Sequence, residues 1–559
     1  MLRLIVICFL LGLPAASHRA QASAVHALVI GIDRYESAGG SLRDLEGAVN
    51  DAHDIADVLQ AQGARSVTRL INDDAGRDSI FAALDALKAR ANPGDTLMIT
   101  YAGHGAREPA RNPDQVEDGL DEVMVLGRFR PEYPQNYERI FDYEWRAFVQ
   151  GATEFNVVLV FDACHSGTLN RAVGQGRTRF AQYGAITQDA LPPPTVTETQ
   201  SAAEPVLEHE LYVGATLDTL VVTEIPIDGM PRGALSYHFA RAIEGSADLD
   251  GDGVITRGEL QRYLAVRVRE MTEARQFPVI AFAGDGAAPL LPVAAPAETG
   301  APVLRDSSRE TAQTLPVAAA PARTDLATCL ARAMPSSTPL GLALQSFDTA
   351  TEAQLYAALA RSAQPAAPED AALRWDRDSG AITSLHGDIV TTLPVGAQDQ
   401  IAHLRAVVEK WQVLPAFNRL GECLAPLDVS LAPGYGTHCE GAQVEVTISP
   451  RKGSYLTLFN IASDGTLQHL YPVARYGDPL QFPPEQPWRM PLEVSAPFGG
   501  DHLIALASAT DPSALIAALG AFDGRQAVRP ALDALRAEIS ASNYEIGILP
   551  LYTRAGPCP

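Results

Sequence analysis

The sequence predicts an α/β fold for the first half of the chain and a mainly β domain at the C-terminal end. The α/β part is expected to be an αβα sandwich around a mainly parallel six-stranded sheet. From about residue 25 to 290, short and almost continuously apolar runs alternate with segments of helical periodicity, as in parallel sheets covered on both faces. From Gly441 onward the pattern changes to the alternation of half-buried strands.

Six apolar runs are the candidate strands of the first sheet, and the segments between them show the apolar spacing of helices. Strand, helix and strand in succession favour parallel neighbours joined by crossover helices. The strands are predicted at 25–31, 66–71, 95–101, 155–162, 210–216 and 278–284, and two of the helices at 42–63 and 78–92.

The first 24 residues have the pattern of a secretory signal peptide. A positive start precedes the apolar run Leu4–Leu13, and small residues at 22–24 predict cleavage after Ala24. The alternative is a membrane anchor, but the run is too short to span a bilayer, and no run of 18 apolar residues follows it. The sequence therefore predicts a periplasmic or secreted protein without a membrane span.

The remaining segments divide the chain into further regions. The first domain is predicted over 25–291, and an Ala/Pro-rich linker over 292–325. Residues 326–425 are predicted to be helical or mixed, with 326–362 helical, and residues 426–559 to form an antiparallel β-sandwich-like accessory domain.

Charge and cysteine content limit the possible partners and the compartment. The formal net charge is −24, and loss of the leader, which carries Arg3 and Arg19 but no acid, makes the charge more negative still. Such a surface repels phosphate backbones and so argues against nucleic-acid binding. Four cysteines, Cys329, Cys423, Cys439 and Cys558, are predicted to form two disulfides in an exported protein, with three pairings open.

Two reactive side chains follow neighbouring candidate strands. His104 lies in "YAGHGAR" after the third strand, and Cys164 lies in "FDACHSG" after the fourth. The carboxyl ends of parallel strands meet at one sheet edge, so an imidazole there can activate the thiol. The backbone N–H groups of Gly105 and Cys164 are candidate donors to an oxyanion. The alternative is a buried structural cysteine beside a core histidine.

These motifs resemble the caspase fold of cysteine peptidases, and most closely metacaspases and their bacterial relatives. The resemblance spans about 25–290 and includes "ALVIGIDRY", "AVNDAHDIADVL" and "DGLDEVMVL". It implies that His104 is the general base and Cys164 the nucleophile of a peptidase that acts through a thioester. The segment "GSYLTLFNIASDGTLQHLYP" resembles a β-rich domain of unknown function often attached to bacterial caspase-like proteins, which implies a binding or anchoring role toward an envelope partner.

The residue two places before Cys164 bears on specificity. Asp162 shares the side of an extended segment with the nucleophile, where a carboxylate suits a cationic P1 side chain. Metacaspases place pocket acids here and at the position of Asp51, which implies cleavage after Arg or Lys; we expect Arg to be preferred over both Lys and Asp. Ala48 and Ala102 stand where that family usually has Cys and Ser. In the alternative interpretation, Asp51 pairs within its helix and Asp162 merely ends a strand.

Two function classes remain open. The first is an exported cysteine endopeptidase, and the second a weak or inactive caspase-like envelope protein that binds peptides without turnover. Intact His104 and Cys164 favour the first. An Arg-specific enzyme is also expected to clip itself in the loop that carries Arg171, Arg177 and Arg179, unless these are only solvated surface arginines.

The segment "DLDGDGVITRGE" matches the twelve-residue loop of an EF-hand. Hard oxygen ligands at this spacing surround one Ca²⁺, with a glycine at the sharp turn. The sequence therefore predicts a structural or activating calcium site. In the alternative interpretation, the acids only cap the helix that follows. The predicted ligands are Asp248, Asp250, Asp252, Val254 through its carbonyl, Thr256 and Glu259.

Overall fold

The computed structural model describes the chain from residue 23 to 556 with gaps. Nearly all of the predicted signal peptide, most of the linker, Arg171 and Cys558 lie outside the described residues. Within 23–556 the gaps are 36–41, 112–119, 165–176, 182, 184–185, 187, 193–205, 217–221, 285, 294–325, 360, 369–370, 386–387, 394–395, 397–398, 433–436, 474–476 and 540–543.

The N-terminal domain alternates strands and helices, as its apolar periodicity predicts. Its elements are β1 (Val25–Gly31), α1 (Ala48–Ala61), β2 (Ser66–Ile71), α2 (Arg77–Arg90), β3 (Thr96–Ala102), β4 (Gly105–Pro109), β5 (Leu120–Val125), β6 (Arg139–Phe141), α3 (Asp142–Gln150), β7 (Asn156–Asp162), β8 (Glu210–Gly214), β9 (Ile225–Ile227), β10 (Met230–Arg232), α4 (Ala234–Arg241), β11 (Val254–Thr256), α5 (Arg257–Met271), β12 (Val279–Phe282) and β13 (Pro289–Pro292).

The central sheet has six strands in the order β12-β8-β7-β3-β1-β2. All neighbours are parallel except β12, which runs antiparallel to β8. The prediction of a mainly parallel six-stranded sheet is therefore confirmed. The six predicted runs coincide with its strands to within two residues at each end.

Helices cover both faces of this sheet. Successive strand residues point to opposite sides, so they pack into two different cores. In β1, Val29 packs with Ile55 of α1 and with residues of α4 and α5, whereas Ile30 packs with Ile80 of α2 and residues of α3. Gly31 ends β1 where a Cβ atom would lie 2.6 Å from the carbonyl oxygen of Ala48. The missing side chain therefore lets α1 approach the sheet closely.

The described residues from 326 onward form three further sheets, accompanied by helices. Its elements are α6 (Leu326–Arg332), β14 (Leu340–Gln345), α7 (Thr349–Leu359), β15 (Ala363–Pro365), β16 (Leu373–Asp376), β17 (Ala381–Ser384), β18 (Ile389–Thr392), α8 (Gln400–Glu422), β19 (Ala425–Pro426), β20 (Val429–Ala432), β21 (Thr437–Cys439), β22 (Gln443–Ile448), β23 (Tyr455–Ile461), β24 (Thr466–Tyr471), β25 (Trp488–Glu493), β26 (Gly500–Ser508), α9 (Ser513–Phe522), β27 (Arg525–Gln526), α10 (Val528–Ile539) and β28 (Tyr544–Arg554).

The prediction that 326–362 is helical is wrong at β14, which lies in a five-stranded sheet in the order β15-β14-β16-β17-β18. In the last domain β23, β26 and β28 belong to a seven-stranded sheet, which packs against the three-stranded sheet β20-β22-β25 through a shared apolar core. The sandwich is not purely antiparallel, since β19 and β21 pair parallel to β28. Its outer face is covered by α8, α9 and α10.

Polar contacts join α5 of the first domain to the C-terminal part. Glu270 accepts a 2.7 Å hydrogen bond from the backbone N–H of Ile548, and Arg267 donates a 2.7 Å bond to the carbonyl of Leu424.

The structure contains a disulfide between Cys329 and Cys423, a bond that occurs in one of the three open pairings. Among the helices described here, none combines the length and apolar character needed to cross a bilayer.

Candidate active site

The parallel pairing of β3 and β7 brings the predicted histidine and cysteine to one sheet edge. Ala102 is paired with Asp162 in the register of these strands, so His104 and Cys164 each lie two residues beyond the last pair. The N–H of Gly103 donates to the carbonyl of Asp162 at 3.4 Å, which keeps the two exits side by side. Cys164 carries a fully buried thiol.

Hydrogen bonds fix the orientation of His104. Its Nε2 lies 2.7 Å from the carbonyl oxygen of Arg43, and its backbone N–H donates to the Tyr35 hydroxyl at 2.7 Å. A carbonyl only accepts, so the neutral imidazole carries its proton on Nε2. Nδ1 then has the basic lone pair, and it has no hydrogen-bond partner among the described residues. Burial lowers the pKa of His104 to about 4, so the ring is neutral at pH 7.

The chain's own Arg179 lies between the segments that follow β3 and β7. Its carbonyl oxygen accepts hydrogen bonds from the N–H groups of Gly105 at 2.9 Å and Cys164 at 3.2 Å. These are the two backbone donors that the sequence predicts for an oxyanion. A peptide carbonyl thus rests on both amides directly beside the cysteine.

The guanidinium of Arg179 is fully buried among three carboxylates. Nη2 lies 2.5 Å from Asp51 and 3.2 Å from Glu224, and Nη1 lies 3.1 Å from Asp162. The side chains of Arg179, Asp51 and Asp162 are 0% exposed, and that of Glu224 is 2% exposed. The pocket of predicted P1 acids is therefore filled by an arginine, and the alternative of a solvated surface arginine is wrong for Arg179.

The charges in this pocket depend on one another. Burial raises the pKa of Asp51 to about 7, although the Arg179 guanidinium opposes this rise. Burial also opposes the charge of Arg179, but the surrounding carboxylates raise its pKa well above the usual value. Gly233 closes the pocket where a Cβ atom would lie 2.1 Å from Asp162, and its N–H donates to Asp51 at 2.9 Å.

The segment around Arg179 lies extended across the sheet edge, held by backbone bonds on both sides. The N–H of Arg179 donates to the carbonyl of Val222, and the N–H of Glu224 donates to the carbonyl of Arg177, each at 2.8 Å. On the other side, the N–H of Ala181 donates to the carbonyl of Gly105 at 2.8 Å. Residues 177–181 are thus bound as a peptide strand is bound in a cleft.

Three contributors to this site were missed by the sequence analysis. Glu224 supplies the third carboxylate, Arg43 the carbonyl that holds His104, and Gly233 the space for the guanidinium. Glu224 lies in the stretch before β9, and neither its spacing nor its neighbours mark it as functional. Its role follows only from the fold, which brings 222–224 against 177–179.

The predicted calcium loop lies between α4 and the first turn of α5. Carboxylate oxygens of Asp248, Asp250 and Asp252 all lie within 4.8 Å of one another, which fits a small divalent cation. Glu259 does not complete this group. One of its oxygens accepts from the backbone N–H of Asp250, and the other from the N–H of Thr256, where it caps α5.

A thiol and an imidazole at the carboxyl ends of adjacent parallel strands, with two amides aimed at a carbonyl, define a cysteine-nucleophile site. Residues 25–171 match the family model for the metacaspase, peptidase C14 domain. Metacaspase-1 of Saccharomyces cerevisiae is 32% identical over 152 residues, 26% of this chain and 33% of that protein. Metacaspase-1 of Candida glabrata is 32% identical, over 26% of this chain and 37% of that protein.

Residues 438–511 match a domain of unknown function, DUF4384. Two solved structures resemble the chain more distantly. One is a protein from Geobacter sulfurreducens (20% identity, TM-score 0.36, 48% of this chain and 98% of that one), and the other is pro-sf-caspase-1 (12%, 0.29, 46% and 87%). The chain spans about a third of the length of the curated relatives above. Residues 25–171 are thus similar to a metacaspase-type peptidase C14 domain, and residues 438–511 to an additional C-terminal domain of unknown function.

Proposed function

We propose that the protein is an exported cysteine endopeptidase that hydrolyses peptide bonds after arginine. The observation that carries this proposal is the position of Arg179. Its carbonyl rests on the amides of Gly105 and Cys164 while its guanidinium fills the acidic pocket. The match of 25–171 to a peptidase family supports the reaction class.

In this mechanism the thiolate of Cys164 attacks the carbonyl carbon of the P1 residue. Nδ1 of His104 takes the thiol proton and passes it to the leaving amine as the C–N bond breaks. The amides of Gly105 and Cys164 stabilise the negative charge on the carbonyl oxygen of the intermediate. A water molecule, deprotonated by the same imidazole, then hydrolyses the thioester and restores the thiol.

The pocket favours arginine over lysine because its three carboxylates are arranged around a planar cation. Nη1 and Nη2 of Arg179 contact different acids, Asp162 on one side and Asp51 with Glu224 on the other. The single ammonium of a lysine cannot make all of these contacts at once. An aspartate at P1 would add a fourth negative charge to the same buried site.

The alternative is a peptide-binding protein without turnover. Ala102 and Ala48 replace the Ser and Cys that metacaspases usually have at these positions, so two polar side chains of that family's pocket are missing here. Both alanines are buried. In that case segment 177–181 would be a permanent occupant of the cleft. Whether the chain cuts itself there separates the two functions.

The proposal of export follows from the predicted signal peptide and is supported by the disulfide Cys329–Cys423. The C-terminal domain, which matches a domain of unknown function, is proposed to bind an envelope partner.

Calcium is proposed as a bound structural ion of the loop before α5. Asp248, Asp250 and Asp252 would hold it through carboxylate oxygens. The carbonyl oxygen of Val254, and Thr256, would be further ligands. Bound Ca²⁺ would neutralise the repulsion of the three carboxylates. In the state described here Glu259 caps α5, so it would have to turn to become the sixth ligand.

We expect the self-processed enzyme to cleave matched peptides in the order Arg, Lys and then Asp at P1. The expected kcat/KM for Arg is about tenfold above that for Lys, which corresponds to about 1.4 kcal/mol of transition-state binding. Replacing Glu224 by Gln should lower this ratio, because one of the guanidinium contacts is weakened. Equal or faster turnover of the Asp peptide would contradict the assignment of the pocket.

We expect the purified protein to cut itself between Arg179 and Phe180, because that peptide bond lies at the two catalytic amides. Intact mass and N-terminal sequencing should give a fragment that begins at Phe180. The Cys164→Ala protein should stay whole, and Arg179→Ala should lose this cut while Arg177→Ala keeps it. A wild-type protein that remains intact or is cut only at other arginines would refute the assignment of this bond.

We expect Asp250→Asn to weaken Ca²⁺ binding by about tenfold or more, because it removes one of three clustered negative charges. Calorimetric titration measures the affinity. In thermal unfolding, Ca²⁺ should raise the Tm of the wild type. The variant should need more calcium to reach the same rise in Tm. The control is Asp85→Asn on the exposed face of α2. Identical titrations of Asp250→Asn and the wild type would rule out this site.

A further inference from the structure

Arg177, two residues before Arg179, makes a second contact between the resident segment and the cleft. Its guanidinium donates to the carbonyl oxygen of Asp44 at 2.7 Å and to a carboxylate oxygen of Glu46 at 2.5 Å. In substrate terms Arg179 occupies the P1 position, so Arg177 occupies P3. Its side chain leaves the cleft on the side of the loop that precedes α1.

The loop that receives Arg177 is part of the same structure that builds the catalytic pocket. The carbonyl of Arg43 in this loop holds His104. Glu224, the third acid of the P1 pocket, accepts hydrogen bonds from the backbone N–H groups of Glu46 and Gly47, both at 2.9 Å. Glu224 therefore fixes the position of Glu46 relative to the P1 pocket.

A backbone hydrogen bond at P3 would place the P3 residue of another peptide in the same position as Arg177. The carbonyl of Arg177 accepts from the N–H of Glu224 at 2.8 Å, a bond that any residue at P3 can make. This bond sets the register, so the P3 side chain of a substrate would begin where that of Arg177 begins. The carboxylate of Asp44 is already bound to the N–H of Tyr35, which leaves Glu46 as the acid that meets the side chain.

We propose that Glu46 and the carbonyl of Asp44 form a subsite for a basic side chain at P3, so that the preferred substrates are Arg-X-Arg peptides cut after the second arginine. This inference rests on the proposed cleavage after arginine. The pair is about half exposed, at 42% for Arg177 and 52% for Glu46, so it is screened by water and salt. The expected preference is accordingly about three- to fivefold, far below that of the buried P1 pocket.

The test compares two product-like peptides, acetyl-Arg-Thr-Arg and acetyl-Gln-Thr-Arg, and the corresponding cleavable peptides extended by Phe. Calorimetry on protein with Cys164→Ala, Arg177→Ala and Arg179→Ala gives affinities without turnover and without the resident arginine side chains at P1 and P3, and self-processed enzyme gives kcat/KM. We expect the Arg-P3 peptides to bind about three- to fivefold more tightly. The gain should appear mainly in KM and shrink as ionic strength rises.

Glu46→Gln should reduce the affinity for the Arg-P3 peptide to that for the Gln-P3 peptide. Glu154→Gln, at an exposed acid elsewhere on the domain, should keep the preference. Equal affinities of the two peptides for the wild-type subsite overturn this inference, even if both are cut after arginine. If the Arg-P3 peptide binds more tightly but neither peptide is cut, the subsite stands and the proposed hydrolysis fails.

Discussion

The site depends on one interaction, the burial of a single guanidinium among three carboxylates. Asp51 comes from α1, Asp162 from the end of β7, and Glu224 from the stretch before β9, so this cluster joins three separate parts of the domain. Buried charges are tolerated only when they are paired. One cation against three acids leaves an excess of negative charge, and Oδ1 of both aspartates has no hydrogen-bond partner among the described residues. Such a pocket is better suited to an exchangeable cation, such as the side chain of a substrate, than to an arginine whose only role is to stabilise the core.

The second constraint is the register of the sheet. Because β3 and β7 are parallel neighbours that end at the same level, His104, Gly105 and Cys164 leave the sheet together. The peptide between residues 177 and 181 then bonds to groups on both sides of the cleft, and its P1 carbonyl reaches two amides without any side chain in between. Base, oxyanion donors and specificity pocket are thus positioned by backbone geometry, and the loop before α1 connects them through Arg43 and Glu46.

Local sequence pattern was sufficient for the sheet and for placing His104 and Cys164 at one edge of it, whereas their roles as base and nucleophile were implied by the family resemblance. The six apolar runs follow from periodicity, the glycine-flanked His104 and the strand-end Cys164 follow from their positions, and the acid two residues before the cysteine follows from strand alternation. The rest required tertiary structure. Glu224 is 173 positions away from Asp51 in the numbering and has no distinctive neighbours. Arg179 was predicted as a site of cleavage but not as the occupant of the pocket, since only the fold shows which acids it reaches. Strand β14 was missed because its short run Leu340–Gln345 lies between two helices and resembles them in composition.

The most direct measurement of the central claim is the rate at which a peptidyl-arginine chloromethyl ketone alkylates Cys164. If Arg179 fills the pocket, wild-type protein that is still uncut, as checked by intact mass, reacts slowly, because the reagent binds only the fraction of molecules whose pocket is empty. We expect Arg179→Ala to react at least about tenfold faster than the uncut wild type, whereas Arg177→Ala, which leaves the P1 pocket filled, should react at a rate close to that of the uncut wild type. Equal rates for wild type and Arg179→Ala would contradict the claim that this arginine occupies the substrate site.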